Sequence, residues 1–279
     1  MASLFLDMAD SIGIFDSGYG GLTVMKEIVK ELSEYDYKYL GDNMRAPYGN
    51  RSFDTVYQYT LDSLRWFFKN DCPLVILACN TASAKALRTI QQNDLNDFGS
   101  EKRVLGVIRP TSEVIGNYSK SRHVGIFGTT GTVQSESYLI EINKFFPDVT
   151  VVQEACPMWV PLVENNEHLY AGADYFIKQH VHRLLDKDPL IDTILLACTH
   201  YPLLEEKIAQ FLPGGIQLIS QGSIVAKSLE EYLGRHPEIE GKLSKKGNSA
   251  FYTTGDEEDF NNKASLFYGK NVISDHVAL

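Results

Sequence analysis

Two cysteines stand where a thiol can do chemistry. Cys79 lies in "LVILACNTASAKALRTI" (74–90) and Cys198 in "TILLACTHYPLLEEKI" (193–208). Each ends an apolar run that reads as a buried strand and precedes a run that reads as a helix. In open parallel sheets, ligands gather beyond the carboxyl ends of the strands, where loops lead into helices. A thiol just ahead of a helix feels the positive end of its dipole, which favours the thiolate. One thiol so placed is more often a small side chain finishing a strand; the same placement in two halves argues for chemistry.

A cysteine hydrolase needs one thiol, a histidine and usually an oxyanion hole, so a second identical thiol would be redundant. Inversion at a carbon uses both, one thiolate removing a proton and the other thiol returning one from behind. Two similar halves folded together would set the thiols opposite each other across a cleft. Cys72 and Cys156 each precede a proline outside any repeated context and read as filler. There is no CxxC, and Cys198-Thr199-His200 is too tight for a closed tetrahedral site, so no metal is expected.

The 279 residues, 44% hydrophobic and 22% charged, suffice for a full core and point to two domains. No apolar run approaches the roughly 20 residues that cross a bilayer. The start, "MASLFLDMADSIGIFD", has Asp7 and Asp10 where a signal peptide needs a basic head, so a cytoplasmic protein without membrane contact is expected. Four cysteines are then no disulfide framework. A net charge of -10 with no Lys/Arg stripe argues against nucleic acid, and any anionic ligand must be held by local donors.

The elements that would position the thiols alternate. "SIGIF", "YKYLG", "LVILA" and "LGVI" read as strands, with helices over "GLTVMKEIVKEL" and Asp54 to Phe68 between them. The pattern restarts with "HVGIFG", "VTVVQ", "TILLA" and "IQLIS", separated by helical segments near Ser135 to Phe145, Tyr170 to Leu185 and Leu203 to Phe211. Strands that are apolar throughout and alternate with helices mean parallel sheets covered on both faces. "IGIFDSGYGGLTV" aligns with "VGIFGTTGTV" at an offset of 112 residues, and the two cysteine stretches align at 119. Two matched pairs in the same order indicate an internal duplication.

The expected fold is therefore α/β, two similar doubly wound parallel-sheet domains with the active site in the cleft between them. After "IQLIS" come a helix, a strand and another helix, too little for a third domain. Residues 1–105 plus 222–279 are assigned to the first domain and 106–221 to the second. Around the thiols, "DSGYGG" offers Asp16, Ser17 and backbone amides, "PYGN" offers Tyr48 and Gly49, Asn80 and Thr81 follow one cysteine, and Thr199 and His200 follow the other. Thr130, in the loop matching DSGYGG, adds a donor. Such loops bind carboxylates without Lys or Arg.

The series "GIFDSGYGGLTV", "YLGDNMRAPYG", "ILACNTASAKAL", "GVIRP", "PLVE" and "LLACTHYPLL" resembles that of the glutamate racemases, in the cofactor-independent aspartate/glutamate racemase superfamily. The resemblance runs in order from about residue 12 to 212. It implies interconversion of L- and D-glutamate without pyridoxal phosphate or any other cofactor, supplying D-glutamate for peptidoglycan, in a homodimer. By position it makes Cys79 and Cys198 the acid/base pair, Cys79 acting on D-glutamate and Cys198 on L-glutamate. It has Asp16, Glu164 and His200 assist, and Asp16, Ser17, Tyr48, Gly49, Asn80, Thr81, Thr199 and His200 contact glutamate. Arg109 stands where the family usually has Glu, and "PLVENNEH" departs from it after Glu164; both bear on hinge and rim rather than on the thiols. The alternatives are a racemase of aspartate or another amino acid, an acidic-metabolite binding protein with inactive thiols, and a redox switch.

Overall fold

Ten strands, all paired in parallel, form two sheets in a computed structural model that describes Met8 and residues 10 to 279. Asp7, one of the two acidic residues read against a leader, lies outside the described residues. The first sheet contains β1 (Ile12–Asp16), β2 (Tyr37–Gly41), β3 (Leu74–Leu77) and β4 (Arg103–Gly106). The second contains β5 (His123–Gly128), β6 (Thr150–Ala155), β7 (Thr193–Ala197) and β8 (Gln217–Ile219). β9 (Ser249–Thr253) and β10 (Ser274–His276) extend the first sheet beyond β2.

The duplication is visible in the strand order. The first sheet runs β10-β9-β2-β1-β3-β4 and the second β6-β5-β7-β8, so β2-β1-β3-β4 in one corresponds to β6-β5-β7-β8 in the other. Both orders reverse once, between β1 and β3 and between β5 and β7, and such reversals are where open α/β sheets bind ligands. Every residue of β1, β3 and β7 is buried, and apart from Asp16 at the end of β1 and Thr193 at the start of β7 these strands are apolar.

The helices follow from local chemistry. Leu22–Glu31 buries Leu22, Val24, Met25 and Ile28 on one face. Phe53–Lys69 begins where the Ser52 hydroxyl accepts the Thr55 N–H at 3.1 Å. The structure differs from the sequence reading in three places along the chain. "LGVI" is a strand only to Gly106, because Val107 and Ile108 already turn into the helix Ile108–Ser112. The segment read near 135–145 is the helix Ser137–Phe145, and a separate short helix, Thr130–Gln134, precedes it, the two parted at Glu136, whose φ of 54° no right-handed helix admits. The carboxy-terminal segment carries a further short helix, Pro237–Glu240, and the final strand β10.

One apolar cluster includes residues of both sheets, among them Ile12, Tyr39, Phe127, Trp159, Ile194 and Tyr201; separate clusters cover the remaining faces, around Phe15 and Phe67 in the first and Ile126 and Tyr138 in the second. Among the described residues no helix is long and apolar enough to cross a membrane.

Candidate active site

Cys79 directly follows β3 and its neighbour Ala78, and it caps the helix Asn80–Lys85: its sulfur accepts the Ala82 N–H at 3.4 Å, and its S–H donates to Ser17 Oγ at 3.6 Å. The expected thiolate is not favoured in the free protein. Burial, reinforced by the charge of Asp16, pushes the Cys79 thiol up to about 12, outweighing its hydrogen bonds with the Ala82 amide and the Ser17 hydroxyl. Cys198 follows β7 differently from the sequence expectation. It precedes a tight 3₁₀ turn, Tyr201–Leu204, and the α-helix Glu205–Phe211 begins only beyond it. In place of a helix end, Cys198 has His200 Nδ1 at 3.9 Å.

His200 is held from its other side by Glu164 on the helix Trp159–Glu164, with Nε2 to Oε1 at 2.9 Å. Burial alone would keep the imidazole neutral, but the hydrogen bonds and charges of Cys198 and Glu164 overcome it and push His200 up to about 10. At neutral pH the ring is an imidazolium whose two N–H groups face the carboxylate and the sulfur. Phe267 meets the same ring edge-on, centroids 5.1 Å apart.

Asp16 ends β1 and is wholly buried. One carboxylate oxygen accepts the Gly18 N–H at 2.9 Å; the other accepts the Thr199 hydroxyl at 3.4 Å, linking the first half to the second. Burial raises its pKa, with Glu164 adding to the rise and His200 and the Gly18 and Gly21 amides opposing it. Gly20 permits this approach of the halves: a Cβ there would lie 2.2 Å from Thr199 Oγ1 and 2.5 Å from His200 Nδ1.

A cavity of about 140 Å³ opens between the sheets, and both Cys79 and Cys198 line it. It is smaller than the roughly 300–1,000 Å³ of pockets for drug-sized ligands, so it suits an amino acid better than a nucleotide. Every candidate catalytic or substrate-binding residue from the sequence lines it except Asp16, which is tied to it through the Thr199 hydroxyl. Not all of them offer free donors. The Tyr48 hydroxyl donates to Asp42, so this residue contributes its ring, and the neighbouring Gly49 carbonyl accepts the Gly131 N–H at 2.7 Å. The Asn80 amide is held by Gln221 and Tyr138. Among the described residues no group of three or more His, Cys, Asp or Glu could hold a metal ion.

The profile of the Asp/Glu/hydantoin racemase family matches residues 12–229. The chain belongs to that family. Glutamate racemase of Ruegeria sp. (strain TM1040) is 39% identical over 272 residues, covering 94% of this chain and 98% of that one. Among solved structures, a glutamate racemase isoform from Bacillus anthracis superposes with a TM-score of 0.87 at 33% identity, and glutamate racemase from Francisella tularensis in complex with D-glutamate with 0.85 at 27%, each covering 98% of both chains.

In this racemase-family chain, two cavity residues with a hydroxyl or thiol group were not among the candidates from the sequence. Thr129 caps the helix Thr130–Gln134, and its hydroxyl meets that of Thr81 at 3.0 Å across the two halves. As the residue after β5 it is the counterpart of Ser17 after β1, and the alignment of "GTTGT" with "DSGYGG" was a usable signal. Cys156, read as filler, lies just past β6 in the cavity wall; burial, with the charges of Glu154 and Cys198, pushes its thiol up. Only the fold, which sets β6 beside β5, brings it there.

Proposed function

We propose that this enzyme interconverts L- and D-glutamate by proton transfer between Cys79 and Cys198, with no cofactor. The observation that carries the reading is the pair of strand-end thiols lining one amino-acid-sized cavity, one from each half of a duplicated fold. Cys79 removes the α-proton of D-glutamate and Cys198 that of L-glutamate, and in each direction the opposite thiol returns a proton to the other face. The Cys79 thiol, which burial pushes up, is a strong base once ionised, as a carbon acid demands; the α-ammonium group of arriving glutamate supplies positive charge that helps ionise it. His200, positioned by Glu164, serves Cys198, while Asp16 and Ser17 serve Cys79.

The carboxylates of glutamate are met by neutral donors, the hydroxyls of Ser17, Thr81, Thr129, Thr130 and Thr199 and the backbone at Gly49 and Asn80. Residues 1–105 with 222–279 act as one domain and 106–221 as the other, the strands β9 and β10 and the packing of helix Gly222–Arg235 on Leu22–Glu31 supporting that division. The enzyme works as a homodimer in the cytoplasm and supplies D-glutamate for peptidoglycan.

Proton NMR of L-glutamate in D2O with the enzyme, without added pyridoxal phosphate, tests the reading. Loss of the α-proton signal together with formation of D-glutamate is expected. No exchange would overturn it, and comparable exchange of aspartate would overturn the choice of glutamate.

A further inference from the structure

Gln221 lies between β8 and the helix Gly222–Arg235, where the chain leaves the second sheet. Its side chain is 4% exposed and makes no contact expected of a helix-capping residue. Instead Oε1 accepts from Asn80 Nδ2 at 2.8 Å, and Nε2 donates to the Tyr138 hydroxyl at 2.7 Å. That hydroxyl donates in turn to Asn80 Oδ1 at 2.6 Å, closing a ring of three side chains in which each group gives one hydrogen bond and takes one. The direction of the ring is fixed, because the Val107 carbonyl, which can only accept, makes the Gln221 nitrogen the donor, and turning over one amide alone would set N–H against N–H or oxygen against oxygen. Asn80 and Tyr138 are also buried, so no water substitutes for a missing member.

The ring joins separate parts of the fold. Asn80 is the residue next to Cys79 and opens the helix that Cys79 caps. Tyr138 belongs to the helix Ser137–Phe145 of the second half. Gln221 Nε2 also reaches Thr111 Oγ1 at 2.9 Å and the Val107 carbonyl at 3.3 Å, on the segment that carries the chain from β4 toward β5. The two crossings between the sheets are thus pinned together at one side chain, and that side chain holds the residue beside one thiol. Cys198 has no member of the ring as its chain neighbour; its orientation rests on His200 and Glu164.

We propose that Gln221 is a positioning residue for the Cys79 half of the reaction, holding Asn80, and with it the capped helix, in register with the opposite domain. The inference rests on the two-thiol reading above. Racemisation alone cannot reveal it: the two directions share an equilibrium constant of one, so kcat/KM falls equally for both enantiomers whichever thiol is disturbed. Elimination from β-chloroglutamate needs only the first proton removal and reports each thiol separately.

The test compares the wild-type enzyme with Tyr138→Phe, which removes one oxygen from the ring and keeps its volume, and with Gln221→Leu. Elimination from the D-configured analogue, through Cys79, is expected to fall about tenfold in kcat, as for the loss of about one buried hydrogen bond. Elimination from the L-configured analogue, through Cys198, should change by less than about twofold. Equal losses for both enantiomers, or no loss in Tyr138→Phe, would overturn the positioning role. Should Gln221→Leu fail to fold, Tyr138→Phe still decides. Failure of the wild-type enzyme to eliminate from either enantiomer would instead overturn the two-thiol reading itself.

Discussion

Nε2 of His200 stands 2.9 Å from Oε1 of Glu164, while Nδ1 of the same ring faces the sulfur of Cys198 at 3.9 Å. The imidazole thus spans carboxylate and thiol, and its charge matters to both stability and turnover. The folded protein binds this proton more tightly than the unfolded chain, where histidine titrates near 6.5. The charge therefore favours folding fully below about pH 6.5, and the gain is lost as pH rises toward about 10. Glu164→Gln removes one cause of the raised value. Its melting temperature should fall less steeply than that of wild type between pH 7 and 10, as measured by calorimetry; parallel profiles would contradict the assignment.

Replacing either reactive thiol should separate racemisation from elimination. A serine hydroxyl is a far weaker acid than a thiol, so Cys79→Ser and Cys198→Ser are each expected to lower racemisation kcat by about 10²–10⁴-fold. Cys79→Ser should still eliminate chloride from the L-configured β-chloro analogue and Cys198→Ser from the D-configured one, followed by chloride release. The opposite preference would keep two bases but exchange their faces, and identical residual elimination of both enantiomers by both variants would sink the assignment.

Cys79 should be a slow thiol in the free enzyme. With its pKa pushed up to about 12, the thiolate is scarce at neutral pH and its fraction grows tenfold per pH unit. Peptide-resolved mass spectrometry after brief iodoacetamide treatment should show Cys79 labelling that still rises between pH 9 and 10. A plateau near pH 8 would refute the raised value.

Gly20→Ala tests the closeness of the halves. The added methyl group would overlap Thr199 Oγ1 and His200 Nδ1, short side chains with little room to retreat. A loss of about 1–3 kcal/mol in unfolding free energy by urea titration is expected, with a larger fall in kcat than in substrate affinity. Unchanged stability would mean that the loop yields without strain.

The sequence was most legible where chemistry and periodicity coincide. β2, β5 and β7 agree with the stretches "YKYLG", "HVGIFG" and "TILLA" because apolar runs bounded by loops can only be buried strands here. The end of β4 was obscured since Val107 and Ile108 continue the apolar run while already helical in direction. The environment of Cys198 was misread because "THYPLL" has a helical look, yet its first turn is 3₁₀. Gln221, Tyr138 and Cys156 carry no local signal at all: the first two matter through partners 58 to 141 residues away, and the third through a sheet neighbour.

The pairing of β9 with β2 has a consequence for the order in which the protein comes into being. Strands β5 to β8 occupy one unbroken stretch of chain and can complete their sheet as soon as Ile219 has left the ribosome. The first sheet is begun earlier but finished later: the outer edge of β2 waits with its amides and carbonyls unpaired until Ser249–Thr253 emerges, some two hundred residues after β2 itself. An exposed parallel edge held open during translation is a hazard for pairing with other nascent chains. The duplicated halves, alike in their strand order, therefore mature in the reverse of the order in which they are written.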